Sequence, residues 1–431
     1  MKRSEYLETE DGQRRERRKR FAKRQWFTVP NHEPKSKNSI ADTEKVRFQQ
    51  QILAQMEERG RRAYRSPVVL EIDFDSNQED PPAVHTLAKN YMDLLQKPVD
   101  GSGIDRSRLL LVDDRRIDVL IVNYHLRRLR NPEIRLQVDT VANFVQDIAL
   151  LDRIRHRDFC DEPSYDVDSV WDGDGARHRD DRLSDAIEDL RDWERRRADI
   201  ESQWGPAAFE GMRRMNLMRA QELHLQTFEP KVQDLLLFLA PLVSGDSAME
   251  GLHAQMRDMI VTPPFMLDLT HAPVKGTGKD VFKTNVSGAL TAFKAKHALL
   301  FPLLQTVGVT VLCVPPKSHA AKGKEQYVDL DNLARYVIPA VHEVLNPPAD
   351  TVHTFDVTAV SDKRLRRDFQ NRLERLKRTP KYSVTQYQMI RLPRLVGDPD
   401  NGLVRLALCS GRPYESLWHR MDEIIGRWET A

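Results

Sequence analysis

Apolar positions along the chain change period in a fixed order, and that order occurs twice. From about residue 46, Phe48, Ile52, Leu53 and Met56 recur at helical spacing. The next stretch, SPVVLEIDF, alternates Val69, Glu71 and Asp73 against Leu70, Ile72 and Phe74, which predicts a strand. AVHTLAKNYMDLL returns to the helical period. Beyond the turn DGSG, LLLVDDRRIDVLIVNYH reads as two short β runs or one long bent one. In the second half, a helix ending LTAFKAKHALLFPLL runs into the β-branched strand VGVTVLCVPP and then a helix within DLDNLARYVIPAV. The basic helical segment RLRRDFQNRLERLKR follows. Then come two β runs, VTQYQMIRL and GLVRLALC, around the turn signal GDPDNG. Leu87-Ala88-Lys89 can be laid on Leu333-Ala334-Arg335, so the halves read as a duplication of one small α/β unit.

Between the halves the pattern changes. DAIEDLRDWERRRADIESQW carries interleaved charges around a narrow stripe of Ile187, Leu190, Trp193 and Ile200, and FEGMRRMNLMRAQELHLQTF and VQDLLLFLAPLV complete a helical insert. At the other end, RRERRKRFAKR packs Arg14 to Arg24 into a basic run before a Pro/Asn/Ser-rich stretch, the composition of a solvated arm. The expected organisation is a basic disordered arm (1–45), a first α/β unit (46–150), a helical insert or linker (151–255) and a second α/β unit (256–431). The fold class is α/β, mixed α+β, with two small mixed-sheet units.

Composition narrows the function. The 431 residues carry 67 Lys and Arg against 65 Asp and Glu, so any basic surface is local. Three cysteines without metal spacing argue against a zinc site or disulfide scaffold and fit a reducing cytoplasm. No apolar run reaches the roughly 20 residues of a membrane span and the N-terminus shows no apolar leader, so a soluble cytoplasmic protein is expected. HAPVKGTGKD lacks the glycine-to-GK spacing of a phosphate loop and has Asp280 where Ser or Thr should stand, which excludes a nucleotide cofactor of that kind.

The chemistry concentrates in YVDLDNLARYVIPAVHEVLNPPAD, residues 327–350. One of Asp329 and Asp331 can cap the helix whose apolar face is Leu333, Val337, Ile338 and Val341. A second acid two residues away adds repulsion that capping does not require and a bound cation relieves. Magnesium held by few carboxylates makes water nucleophilic and offsets charge on a phosphate, and manganese suits the same donors. Arg335, a turn beyond Asp331, can reach phosphoryl oxygens or form a surface ion pair. Lys322 and Lys324 before the motif, and Arg364, Arg366, Arg367, Lys377 and Arg378 after it, are candidate phosphate contacts or a solvated face.

The order strand, Pro-Pro, basic loop, Asp329-x-Asp331-Asn332-x-x-Arg335, apolar helix, Asn-Pro-Pro, Asp350 resembles the RusA-like Holliday-junction resolvases over about residues 280–410. That family has Lys where Arg335 stands, and its third acid follows the helix, at the place of Asp350; Asp356 is the rival. The resemblance implies a magnesium-dependent structure-specific endonuclease of DNA recombination and repair, acting on branched DNA as a homodimer. Asp329, Asp331 and Asp350 would be the catalytic metal ligands. In the first unit Ala83 and His85 fall where the acid pair should be, while Lys89 and the pair Asp113 and Asp114 remain. That unit is expected to be a degenerate copy, giving an intramolecular pseudo-dimer with one active site per chain. Asp73 and Asp75 with Asp113 or Asp114 form a lesser candidate metal group. The competing class is a non-catalytic nucleic-acid-binding or assembly protein that keeps the fold.

Overall fold

The computed structural model describes residues 3–78, 82–126, 130–161, 173–227, 267–271, 273, 278–317, 329–346, 362–378, 384–392, 394, 398–411, 414 and 416–430. The fold is mixed α/β. Helices α1 (Arg3–Glu8) and α2 (Glu10–Phe21) lead into strand β1 (Gln25–Pro30). A first series follows: α3 (Asp42–Glu58), β2 (Val68–Ser76), α4 (Val84–Leu94), β3 (Ile117–Leu126), β4 (Glu133–Thr140) and α5 (Val141–Asp161). Helices α6 (Gly173–Arg195), α7 (Arg197–Trp204) and α8 (Pro206–Thr227) form the insert. The second series is β5 (Leu267–Asp268), α9 (Lys279–Lys296), β6 (Val307–Val314), α10 (Leu330–Leu345), α11 (Lys363–Arg378), β7 (Val384–Arg391), β8 (Leu403–Ser410) and α12 (His419–Thr430).

All eight strands among the described residues belong to one sheet, in the palindromic order β1-β4-β2-β3-β7-β6-β8-β5. In each half a parallel pair, β2 with β3 or β6 with β7, is flanked by an antiparallel neighbour, β4 or β8. The halves join where β3 and β7 run antiparallel, with Ile121 opposite Gln388. Both parallel ladders skip one residue at the same place, between Val68 and Val69 and between Val307 and Gly308. A shared irregularity at the start of both ladders supports duplication more strongly than element order, because a slip there re-aims every later side chain. It makes Val69 the counterpart of Gly308, and Glu71 that of Thr310.

The alternation in β2 sends Leu70, Ile72 and Phe74 under α3 and α4, while Val307, Val309 and Val311 of β6 pack with α9 and α10 in the same core. On the other face Val69, Leu312 and Val314 meet Phe144 and Ile148 of α5 and Met421 and Ile425 of α12. LLLVDDRRIDVLIVNYH holds one strand, β3, preceded by a buried loop: Leu109, Leu110 and Leu111 are covered, and the N–H groups of Leu110 and Leu111 donate to the Leu95 carbonyl. Strand β4 goes beyond the expected elements. Its Ile134, Leu136 and Val138 alternate inward, but the charged residues between them dilute the apolar run. At the β7–β8 turn Gly402 has φ +72°, and a side-chain carbon there would lie 2.2 Å from the Val314 carbonyl oxygen, so glycine is required.

The arginine-rich start corrects the expectation of a disordered arm: Arg3–Glu8 and Glu10–Phe21 are helices and β1 pairs with β4. Arg17 and Arg24 are buried. Arg24 lies 3.3 Å from Asp147 and 2.6 Å from Asp422, with its guanidinium 5.3 Å from the Trp418 ring. Arg20 lies 2.6 Å from Asp147. A basic run reads as solvated only while its carboxylate partners, here on α5 and α12, are unseen. The insert docks through Ala186, Leu190, Leu217 and Ala220 onto Leu300 and Leu304, and Gln221 donates to the Leu300 and Pro302 carbonyls at 2.8 Å. The segment VQDLLLFLAPLV lies outside the described residues.

Candidate metal centre

Helices α4 and α10 pack against each other and against the central β3–β7 pair, with Leu87 and Leu333 buried in one core. The residues N-terminal to them, Ala83 and Asp329, occupy equivalent positions. Hence Ala83 matches Asp329, His85 matches Asp331 and Lys89 matches Arg335. That packing brings Lys89 to the first turn of α10 and the charge of Arg335 to the first turn of α4. Lys89 Nζ lies 2.8 Å from Asp331 Oδ2, and the charge of Arg335 acts on His85.

Asp329 holds the N-cap position of α10, yet its side chain makes no capping hydrogen bond. Plain capping therefore does not account for that carboxylate. Asp114, in the single helical turn before β3, completes a group of three acids: one oxygen each from Asp114, Asp329 and Asp331 lie within 4.8 Å of one another. Lys89 also reaches Asp114 at 2.9 Å and Asp93 at 3.0 Å, and Arg115 comes within 3.6 Å of Asp329. Arg391, closing β7, donates to the Arg115 carbonyl at 2.9 Å and to Asp118 at 2.8 Å, which ties the Asp114 turn to the second unit.

The electrostatics are strained around one acid. Burial, then repulsion from Asp114 and Asp331, pushes Asp329 up to about 6 against the pull of Arg115 and Arg391. Burial also raises Asp331, opposed by Lys89. For Asp114 the same cost of burial is outweighed by Lys89, and its carboxyl sits below the ordinary value. Burial alone would lower Lys89, but Asp331 and Asp114 hold it above its usual range. Beneath Asp331 lies Tyr387, fully buried, its hydroxyl without a hydrogen-bond partner among the described residues; burial, then the Asp331 charge, raises its pKa well above normal.

These residues fit a small divalent cation. Three hard oxygen donors converge, their mutual repulsion is only partly offset, and a buried hydroxyl beside them lacks a partner that ion-bound water can supply.

Asp329 and Asp331 are thus brought together as expected, with Asp114 as the third acid among the described residues. Asp350 and Asp356 lie outside the described residues, as do Lys322 and Lys324. Arg335 is exposed, and the cations acting on Asp329 and Asp331 are Arg115, Arg391 and Lys89. Arg364 and Arg367 are exposed on α11 and Arg366 is half-buried there; Lys377 and Arg378 belong to the same helix, their side chains outside the described set. Asp73 and Asp75 do not join Asp114. They lie on the opposite sheet face, where Asp73 accepts from Asn123 at 3.0 Å and Asp75 from Arg135 at 2.9 Å. Sequence reading assigned Asp114 and Lys89 to a spent copy; the alignment of Lys89 with Arg335 was the available signal that both helices present a cation across the seam.

Comparison with protein-family models, curated proteins and solved structures found no match. Among the described residues no helix is long and apolar enough to cross a membrane.

Proposed function

We propose that this chain is a magnesium-dependent, structure-specific endonuclease acting on branched DNA, with one composite catalytic site built from both α/β units. The convergence of Asp114, Asp329 and Asp331 carries the reading. These carboxylates would hold the cation, which when bound supplies an activated water and compensation for phosphate charge. Lys89 fixes Asp331 and Asp114 in place. Arg115, half-exposed beside Asp329, is placed to bind a non-bridging phosphate oxygen. In the reaction water adds to phosphorus, one phosphorus–oxygen ester bond breaks, and the departing oxygen takes a proton from solvent.

A second reading has one observation in its favour. Lys89 already compensates two of the three acids, as in an ion-pair network of a non-catalytic nucleic-acid-binding protein. Nicking of labelled four-way, flap and linear substrates with magnesium, manganese or EDTA separates the two. Divalent-dependent nicking by the parent and none by Asp331→Asn supports the enzyme; binding with no nicking under any metal supports the binder.

A further inference from the structure

The duplication leaves a counterpart of the acid centre on the same helix seam, with its charge reversed. Where the centre has Asp329 and Asp331, the counterpart has Ala83 and His85. Where the centre receives Lys89, the counterpart receives Arg335. Arg335 is exposed. His85 Nδ1 is buried without a hydrogen-bond partner among the described residues. The charge that acts on His85 there is that of Arg335; burial, then this guanidinium, lowers the imidazole to about 4, so it is neutral and retains one N–H to donate. A guanidinium fork and an imidazole that both lack an acidic partner among the described residues suit an anion, as three converging carboxylates suit a cation.

We propose that the Arg335–His85 counterpart is a phosphate-binding site that grips the backbone of the DNA strand opposite the one cut. The inference rests on the nuclease reading of the acid centre. It follows from symmetry: the two strands of a duplex or junction arm present backbones related by an approximate two-fold axis, and the seam between α4 and α10 has one of its own. One phosphate at the acids places a second near Arg335. Conversion of acids to Ala and His removes repulsion toward that second phosphate and turns a cutting half into a holding half. Asymmetric nicking is then a consequence of how the substrate is held.

The test measures binding of a synthetic four-way junction by the full chain in EDTA, over a series of salt concentrations, for parent, Arg335→Ala, Arg335→Lys and His85→Gln. Arg335→Ala should weaken binding about 5-fold and lower the log–log salt slope by about one, the signature of one lost phosphate contact. Arg335→Lys should keep the slope, and His85→Gln should weaken binding with the slope unchanged. Because Arg335 is exposed, its variants should keep the parental melting temperature. Phosphate-ethylation interference then locates the contact. Loss in Arg335→Ala of a contact on the strand opposite the nick supports the proposal. Parental affinity and slope in Arg335→Ala overturn it, and so does loss of a contact on the nicked strand. Failure of magnesium-dependent nicking by the parent is read in a separate assay and bears on the catalytic reading, while the salt slope in EDTA still reports the anion site.

Discussion

Two places on one helix seam, related by an internal duplication, have been given opposite chemistry. At one, Asp329 and Asp331 begin α10 and meet Lys89 from α4. At the other, Ala83 and His85 begin α4 and meet Arg335 from α10. The strand pairing is the same, down to the skipped residue in each parallel ladder. Among the residues at the two helix starts, Asp329 and Asp331 stand against Ala83 and His85, and Asp114 adds a third acid on the first side only among the described residues. On the proposed reading, cutting and holding would be separable within one chain, because the core that contains Leu87 and Leu333 is the same whichever polar groups stand at the helix starts.

The largest expected effect breaks the cation side. Asp331→Asn should lower single-turnover nicking by at least about a thousand-fold, since one carboxylate of a metal-holding set is lost from the step that makes the nucleophile. The fold should survive, as Lys89 keeps Asp114 and Asp93. Nicking within ten-fold of the parent would remove Asp331 from the chemistry.

Lys89→Ala comes next and sharpens the division between metal centre and ion-pair network. It leaves Asp331 and Asp114 uncompensated at a partly buried site, which should cost about 2 kcal/mol in urea unfolding without metal. Magnesium should then raise the melting temperature of this variant more than that of the parent. Equal response, or none, would favour a structural ion-pair network.

A third comparison lies on the other face of the sheet, where Glu71 is the counterpart of Thr310. Burial, then the neighbouring Asp73, raises the Glu71 carboxyl to about 8, although the Leu417 N–H donates to it at 3.1 Å. A carboxyl with a raised folded pKa favours the folded state in its protonated form. That contribution is complete below about 4.5 and is lost as pH climbs through about 8. Parent stability should therefore decline across this window relative to Glu71→Gln, by up to about 4 kcal/mol at its upper end. Parallel stability–pH curves for parent and variant would show that Glu71 is ionised and fully compensated.

The smallest effect is at Tyr387, whose hydroxyl is buried near Asp331 without a hydrogen-bond partner among the described residues. Tyr387→Phe removes a group that folding has desolvated for no hydrogen bond, so metal-free stability should change by less than about 1 kcal/mol, toward stabilisation. Magnesium affinity measured by calorimetry should fall modestly if ion-bound water uses that hydroxyl. An unchanged affinity would confine Tyr387 to the core.

The sequence by itself determined the alternation of β2, the helices around Leu87 and Leu333, the two strands on either side of GDPDNG, the repeated element order, and the acid pair Asp329 and Asp331. These follow from period, turn chemistry and local charge, all properties of neighbouring residues. Strand β4 was legible in principle through Ile134, Leu136 and Val138, but its charged alternates obscured it. Only the tertiary structure placed Lys89 and Asp114 at the acids of the other unit, set Arg335 against His85, and buried Arg17 and Arg24 against Asp147 and Asp422. Each of these joins polar groups more than a hundred residues apart. A charge read along the chain shows its sign; its partner depends on which strands pair and which helices cross, and that is settled by burial of the whole sheet.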